Sequence, residues 1–216
     1  MNERIDIITL NRNAWNRVAE RYDKSNYGKL NDLIVKFCDI LPKNGSVLDL
    51  GSGTGLPFAK FFIERGFRVL GIDFAREMIR IAKRNVPQAK FEEMSMTKLE
   101  FDNMFDGIFS SYSMLLLNPP LFNDVARRIS RALKNSGLFY LALNEPKELG
   151  VDPENDSITK IMNETMYSRA YTEQEICEIF NPLQMELLEI YRVNTHTEEF
   201  GEEHTICFLF KKNAIM

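Results

Sequence analysis

The segment Val47-Leu48-Asp49-Leu50-Gly51-Ser52-Gly53-Thr54-Gly55 decides the fold of this chain. It begins as a short, largely apolar run, which is typical of a buried parallel strand. Three glycines on alternate positions follow, and glycine permits positive φ and lets a ligand approach the backbone without a Cβ in between. A helix is predicted next, over about residues 55–65. Because ligands bind outside the carboxyl ends of strands in an open α/β sheet, the segment predicts a binding loop at such an end.

Strands and helices alternate on both sides of this loop. Residues 13–41, before it, are predicted to be helical, with an apolar stripe at spacings of three and four that includes Leu30. This alternation predicts repeated β-α-β units and a parallel sheet with helices on both faces. After the loop, the pattern predicts strands at 67–72, 90–94, 105–111 and 138–143 and helices at 75–85 and 122–134.

The carboxyl-terminal part of the chain follows a different pattern. A helix around residues 172–180 precedes two strand candidates, 185–193 and 204–210. The polar link between the two strands has no room for a crossover helix, and a short connection forces antiparallel pairing. These residues are therefore predicted to form a hairpin that completes one edge of the sheet.

Composition restricts the class of protein. The 216 residues are 44% hydrophobic and 27% charged, which suits one globular domain rather than a disordered or fibrous chain. The formal net charge of −4 disfavours nucleic acid as a partner. The three cysteines form no CxxC pair, so we expect no metal site and no disulfide framework. Without an 18-residue apolar run or a signal-peptide pattern, the chain is expected to be cytoplasmic and to have no membrane partner.

Asp73 ends the strand that follows the glycine loop and lies 24 residues beyond Asp49. A carboxylate at this point can accept hydrogen bonds from both hydroxyls of a ribose. The dinucleotide fingerprint needs its third glycine at position 56, which is leucine here, whereas the third glycine of this loop is Gly55. The spacing therefore indicates a ligand that has a ribose but no pyrophosphate.

Val47–Gly55 together with Asp73 resembles the class I S-adenosylmethionine (SAM) dependent methyltransferases, of the small-molecule type related to ubiquinone and menaquinone biosynthesis. The segment Trp15-Asn16…Ala19…Tyr22-Asp23 is similar to the amino-terminal helix signature of small-molecule members. Phe105–Ser111 looks like their fourth strand, and Ala132–Leu138 looks like the turn before their fifth, with Asn-Ser in place of Pro-Gly. The resemblance implies a Rossmann-like, doubly wound α/β/α sandwich whose seven-stranded, mostly parallel sheet ends in an antiparallel hairpin.

The resemblance also implies roles for particular residues. Asp49 would orient the amino group of SAM, and Asp73 would hold the ribose diol. Ser95-Met96 falls where the family has Asp-Ala, so the backbone of Met96 would meet the adenine in place of an acid. S-adenosylhomocysteine would be the product. The expected cofactor-binding residues are Tyr22, Asp49, Gly51, Ser52, Gly53, Gly55, Asp73, Phe74, Met78, Ser95, Met96 and Ser110.

The sequence assigns no catalytic residue. Methyl transfer from a sulfonium depends mainly on alignment of the nucleophile, and a general base is needed only for a weakly acidic nucleophile. His196 and His204 lie in the predicted hairpin, where a solvated or ordinary strand histidine is the usual interpretation. Tyr112 and Glu145 follow strands and could face a substrate, or could be a packed aromatic ring and a surface carboxylate. Asn118-Pro119-Pro120 is interpreted as the start of a helix rather than as a catalytic motif.

These inferences divide a single methyltransferase domain into four parts. They are a helical cap (1–41), a SAM-binding core (42–144), a substrate-side lid (145–171), and a final helix and hairpin (172–216). The expected function is methyl transfer from SAM to a small-molecule acceptor, with the acceptor, the attacking atom and the oligomeric state left open. Two alternatives also stay open: a non-catalytic SAM-binding regulatory or assembly protein, and an NAD(P)-binding oxidoreductase, which the glycine spacing disfavours.

Overall fold

Strands and helices alternate through the computed structural model, which describes residues 6–25, 28–146, 158–197 and 201–214. No helix within these ranges is long and apolar enough to cross a membrane. Each element predicted after residue 45 is present, with ends that differ by a few residues. The helices are α1 (Ile7–Lys24), α2 (Asp32–Ile40), α3 (Phe58–Glu64), α4 (Arg76–Asn85), α5 (Pro119–Ala132) and α6 (Glu173–Phe180). The strands are β1 (Ser46–Leu50), β2 (Arg68–Asp73), β3 (Lys90–Glu93), β4 (Phe105–Ser111), β5 (Leu133–Asn144), β6 (Ile158–Ile161), β7 (Glu164–Tyr167), β8 (Met185–Thr197) and β9 (Gly201–Lys212).

A seven-stranded sheet has the order β3-β2-β1-β4-β5-β9-β8. The strands from β3 to β5 in this order are parallel, whereas β9 pairs antiparallel with both β5 and β8. The order reverses at β1, because β2 and β3 lie on one side of it and β4 and β5 on the other. Ligands of open α/β sheets bind at such a switch point. The predicted Rossmann-like fold with a terminal antiparallel hairpin is confirmed.

The amino-terminal region differs from its prediction, because residues 13–41 do not form one continuous helix. α1 ends at Lys24 and α2 begins at Asp32. Gly28 lies between them with a φ of +103°, which a right-handed helix does not contain. The side chain of Asn31 then caps α2 by accepting a hydrogen bond from the backbone N–H of Ile34 at 3.0 Å. Leu30, which its spacing placed on the apolar stripe, is consequently outside both helices and 45% exposed.

The Asn118-Pro119-Pro120 run starts α5, as the sequence predicts. Asn118 Oδ1 accepts a hydrogen bond from the backbone N–H of Leu121 at 3.1 Å. The two prolines occupy the first helical positions, where a missing N–H costs nothing.

Both faces of the sheet are buried. Along β4, Ile108 packs in a core beside α5 and α6, whereas its neighbour Phe109 packs in a second core beside α2 and α3. Phe109 stacks on Tyr140 of β5 with ring centroids 4.7 Å apart, and Phe62 of α3 meets it edge-on at 5.0 Å. Burial on both faces explains why the central strands are almost continuously apolar in sequence.

Helix α1 and the hairpin β6–β7 are joined through a buried asparagine. Asn11 Nδ2 donates to the carbonyl oxygens of Tyr167 at 3.0 Å and Leu116 at 3.3 Å, while its Oδ1 accepts from Tyr167 N–H at 2.8 Å. Arg17 and Glu164 form an ion pair of 2.7 Å beside this contact. The helix and the hairpin also share an apolar cluster of Ala14, Val18, Met162 and Met166. We call α1 and β6–β7 together the cover.

Asn11→Ala should loosen the cover. The substitution leaves buried backbone groups of Tyr167 and Leu116 without their partner, so we expect the free energy of unfolding to fall by about 2–3 kcal/mol. Urea unfolding measures this change. The same substitution at Asn13, which is exposed on the same helix, is the control and should change stability by less than about 0.5 kcal/mol. Equal losses in both variants would contradict the role given to Asn11.

Candidate functional site

A cavity lies at the sheet edge where the carboxyl ends of β1, β2 and β4 come together. The glycine loop after β1 and Asp73 at the end of β2 line one part of it. Trp15 and Tyr22 of α1 and residues of β6 also line it, so the cover bounds the cavity. Its lining residues are Ile8, Trp15, Tyr22, Gly51, Gly53, Ile72, Asp73, Phe74, Met78, Met94, Ser95, Met96, Ser111, Tyr112, Ser113, Leu115, Leu116, Leu117, Asn144, Thr159, Lys160, Ile161, Ser168, Glu202 and Glu203.

The glycine loop turns sharply at the end of β1. The backbone N–H groups of Gly51 and Ser52 both donate to the carbonyl oxygen of Ile72 in β2, at 2.8 and 2.9 Å. Gly51 and Gly53 have φ values of +71° and +54°, a backbone conformation that favours glycine. A Cβ on Gly51 would also lie 2.3 Å from the Cβ of Ser113. The first glycine is therefore required by its conformation and by the close approach of the loop that follows β4.

Asp73 is bonded directly to the glycine loop. It is 8% exposed, and its two carboxylate oxygens accept hydrogen bonds from the backbone N–H of Gly53 at 3.1 Å and of Ala75 at 2.8 Å. Burial raises the pKa of Asp73 to about 6, partly offset by these two bonds. A carboxylate has about four acceptor positions, so two N–H donors leave capacity for the hydroxyls of a ligand.

Two polar side chains beneath the loop have buried atoms without a hydrogen-bond partner. Asp49 is 2% exposed and its Oδ2 is unpartnered, as is the hydroxyl of Ser52. Burial, and then the charge of Asp73, raises the pKa of Asp49 to about 7. Unsatisfied buried acceptors are uncommon in folded chains and call for a donor. The pair therefore fits a ligand that brings an ammonium or other donor group to this loop.

The structure brings most of the predicted cofactor-binding residues to the cavity. Phe74 and Met78 line it next to Asp73, and Ser95 and Met96 line it after β3. Tyr22, Gly51 and Gly53 are also among the lining residues. The other four predicted residues lie behind the lining: Asp49, Ser52, Gly55 and Ser110.

Gly55 and Ser110 have structural surroundings that differ from their predicted exposure to a ligand. A Cβ on Gly55 would lie 3.1 Å from Phe91 and 3.2 Å from Val86, so this glycine permits close packing of the loop. Ser110 is fully buried, and its hydroxyl bonds to the hydroxyl of Ser113 at 2.8 Å. Ser111, which ends β4, and Tyr112 and Ser113, which follow the strand, line the cavity in its place.

Polar contacts with α4 hold the aromatic residues of α1 in position. Asn16 Oδ1 accepts a hydrogen bond from the backbone N–H of Glu77 at 2.9 Å. Trp15 and Tyr22 meet edge-on with ring centroids 5.5 Å apart. The Cε1 atom of Tyr22 would lie 3.4 Å from a Cβ on Gly53, so the tyrosine covers the bare backbone of the loop. The amino-terminal signature seen in the sequence thus positions the roof of the cavity.

The far end of the cavity contains residues that the sequence did not single out. Asn144 ends β5, and Glu202 and Glu203 lie near the start of β9. In sequence the two glutamates belong to a polar link with no distinguishing motif. Pairing of β9 with β5 brings them to the carboxyl edge of the sheet, because Asn144 faces Thr205 in the register.

The sequence offered four candidate catalytic residues: Tyr112, Glu145, His196 and His204. Of these four, Tyr112 lines the cavity. Glu145 forms an ion pair with Arg192 at 2.9 Å. His204 lies 3.6 Å from Glu202, and neither His204 nor His196 is among the lining residues. Within the described ranges, no three His, Cys, Asp or Glu side chains come together as a metal site would require.

Comparison with known families finds a match to part of the chain. A family model described as a methyltransferase domain matches residues 47–137. An uncharacterized methyltransferase of Alkaliphilus oremlandii is 28% identical over 132 residues, which cover 60% of this chain and 57% of that protein. The chain thus spans little more than half the length of this curated relative.

Solved structures agree at the level of the fold. A SAM-dependent methyltransferase of Methanosarcina mazei has a TM-score of 0.76 at 18% identity, covering 87% of this chain and 100% of that chain. The 1,6-didemethyltoxoflavin-N1-methyltransferase of Burkholderia thailandensis, solved with 1,6-didemethyltoxoflavin and S-adenosylhomocysteine, has a TM-score of 0.73 at 19% identity and covers 99% and 94% of the two chains. The fold is that of the class I SAM-dependent methyltransferases. Residues 47–137 match the model of a methyltransferase domain, in agreement with the resemblance seen in the sequence.

Gly51→Ala should disrupt the loop through steric contact with Ser113. Gly66→Ala is a matched control, because Gly66 also has a positive φ (+86°) but a Cβ there would meet only the Oδ1 of Asn44 at 3.6 Å. We expect Gly51→Ala to lower the free energy of unfolding by at least about 2 kcal/mol more than the control does. Urea unfolding of the two variants measures the difference, and equal values would show that the crowding is unimportant.

Asp49→Asn should change how stability depends on pH. The folded-state pKa of Asp49, about 7, lies above its ordinary value of 3.8. The stability that this raised pKa contributes is full below pH 4 and is lost as the pH rises through 7. Asparagine cannot lose that proton, so between pH 5 and 8 the variant should gain on the order of 2 kcal/mol relative to the wild type. Urea unfolding at both pH values tests this, with exposed Asp102→Asn as control. A constant difference between variant and wild type would contradict the buried titration.

Proposed function

We propose that this protein is a SAM-dependent methyltransferase that acts on a small-molecule acceptor. The observation that carries the proposal is a single cavity that extends from the glycine loop and Asp73 to the ends of β4, β5 and β9. One end has the groups expected for SAM, and the other leaves room for an acceptor beside it.

The residues at the end of the cavity near β2 fit SAM. Asp73 would hold the ribose hydroxyls, and Phe74 and Met78 would form an apolar wall for the adenine. Gly51 and Gly53 would pack against the methionine part. The unpartnered Oδ2 of Asp49 would meet the amino group, directly or through water. When bound, SAM supplies a methyl group activated by the positive charge of its sulfonium.

The chain would align the acceptor with the methyl group of SAM and surround the sulfonium cation with groups that attract positive charge. Placing a nucleophile in line with the methyl group accounts for a large share of the rate enhancement of methyl transfer, because it removes the entropic cost of bringing the two reactants together. Trp15, Tyr22 and Tyr112 line the cavity around this point, and aromatic faces attract a cation. Carboxylates on the lining favour positive charge in the same region.

The charge and shape of the cavity support a small acceptor rather than RNA or DNA. Among its described lining residues the charged ones are Asp73, Lys160, Glu202 and Glu203, an acidic balance that would repel a phosphate backbone. The cover bounds the cavity through Trp15, Tyr22 and β6. We also propose that the hairpin β6–β7 acts as the substrate-side lid; residues 147–157 of the predicted lid lie outside the described residues.

Replacing Asp73 tests the proposed cofactor site. Asp73→Ala should weaken binding of S-adenosylhomocysteine by roughly 1–3 kcal/mol, because the ribose hydroxyls lose their acceptor. Calorimetric titration measures this affinity, with exposed Asp102→Ala as the control. Binding of NAD(H) without binding of SAM or S-adenosylhomocysteine would refute the proposed function. Unchanged affinity in Asp73→Ala would remove this residue from the ribose site.

A further inference from the structure

Helix α1 presents a row of side chains to the cavity at a spacing of seven residues: Ile8, Trp15 and Tyr22. Seven residues are close to two helical turns, so these side chains lie on one face of the helix. Tyr22 covers Gly53 at one end of the row. Asn11, one turn before Trp15, bonds to the carbonyl oxygen of Leu116 in the wall after β4. Trp15 therefore lies between these two contacts, over the middle of the cavity.

The ring of Trp15 is held by packing on several sides. It packs against the core beside α5 and α6, against the apolar cluster shared by α1 and the hairpin β6–β7, and against a third cluster between α1 and α4. Tyr22 meets the ring edge-on. The next residue, Asn16, accepts a hydrogen bond from the backbone N–H of Glu77 and so holds this part of α1 against α4. The position of the indole is thus fixed by the protein.

The third cluster adjoins the part of the cavity where the nucleoside of SAM would lie. Met78 belongs to this cluster, and Phe74 packs against it together with Trp15. Both residues line the cavity, next to Asp73. These are the residues proposed above for the adenine wall and for the ribose hydroxyls. The indole of Trp15 therefore lies beside the proposed nucleoside site.

The indole N–H of Trp15 has no acceptor within the described ranges. Its Nε1 atom is buried and has no hydrogen-bond partner there. An indole nitrogen can only donate, and a buried donor without an acceptor bears the full cost of losing its water. A ligand that brings an acceptor atom to this point removes that cost. The ribose oxygens and the ring nitrogens of adenine are acceptors of this kind.

We propose that Trp15 binds the nucleoside part of SAM by donating its indole N–H to a ribose oxygen or an adenine ring nitrogen, an inference that rests on the proposed methyltransferase function. Asp73 accepts hydrogen bonds from the nucleoside at the sheet, and Trp15 donates one to it from the cover. Two separate parts of the fold thus hold the same part of the cofactor. Binding of the nucleoside consequently ties the cover to the sheet.

A single spectroscopic signal tests this contact. Trp15 is the only tryptophan of the chain, so one indole N–H signal in a ¹H–¹⁵N spectrum reports on it alone. We expect saturating S-adenosylhomocysteine to move the indole proton downfield, because a hydrogen bond deshields the proton that it contains. Adenosine, which has no amino-acid part, should move the signal in the same direction. An unmoved signal with both ligands would overturn the inference, and a shift with S-adenosylhomocysteine alone would overturn the assignment to the nucleoside.

Replacement of the indole tests the contribution of the contact to affinity. Trp15→Phe removes the N–H and keeps an aromatic ring, so calorimetry should show binding of S-adenosylhomocysteine and of adenosine each weakened about three- to tenfold. Benzothienylalanine in place of Trp15 exchanges the N–H for sulfur at nearly the same ring size, and it should weaken both ligands to a similar extent. Tyr191→Phe removes a polar hydrogen from a ring on β8, outside the lining residues, and is the control that should change neither affinity.

The outcomes separate this inference from the proposed function. Failure of the wild type to bind S-adenosylhomocysteine would refute the proposed function itself. If the wild type binds it and the benzothienylalanine variant binds both ligands equally well, the N–H has no role and any loss in Trp15→Phe comes from packing. A loss of affinity for S-adenosylhomocysteine with that for adenosine unchanged would place the contact outside the nucleoside and refute the assignment.

Discussion

The binding loop depends on the carbonyl oxygen of Ile72, which accepts hydrogen bonds from the N–H groups of Gly51 and Ser52. These two bonds tie the end of β1 to the end of β2 and turn the chain sharply at the edge of the sheet. The turn requires positive φ at the first two glycines, and it brings the N–H of Gly53 to the carboxylate of Asp73. The loop and the acidic residue, 20 positions apart in the chain, are thus one hydrogen-bonded unit. The position of the cavity follows from this unit and from the reversal of strand order at β1.

Burial of carboxyl groups around the loop opposes stability and favours ligand binding. Asp49 and Asp73 have raised pKa values because water is excluded from them, and the charge of Asp73 raises the pKa of Asp49 further. Excluding water from these carboxyl groups has a free-energy cost, and a folded chain without a ligand bears that cost in full. A ligand with a positive charge and several donors relieves it, since it supplies the partners that Asp49 Oδ2 and Ser52 Oγ do not have.

The cover connects the two ends of the site mechanically. Asn11 bonds both to β7 and to Leu116, which lies in the cavity wall after β4. Helix α1 carries Tyr22 over the glycine loop, while β6 lines the cavity beside it. A movement of this helix therefore affects the proposed cofactor and acceptor regions together. Access of the two reactants is expected to be coupled for this reason.

Local patterns in the sequence determined the strand–glycine–helix segment, the alternation of elements and the place of Asp73, because burial periodicity and backbone sterics act over short stretches of chain. Those patterns were insufficient where distant segments meet. The helix predicted over residues 13–41 extended across Gly28, where the chain leaves the helix, and Ser110 was named although the residues that line the cavity come after it. Only the tertiary structure decided that Glu203 stands beside Asn144. That contact depends on the register between β5 and β9, and a shift of one residue would turn every side chain of the strand to the opposite face.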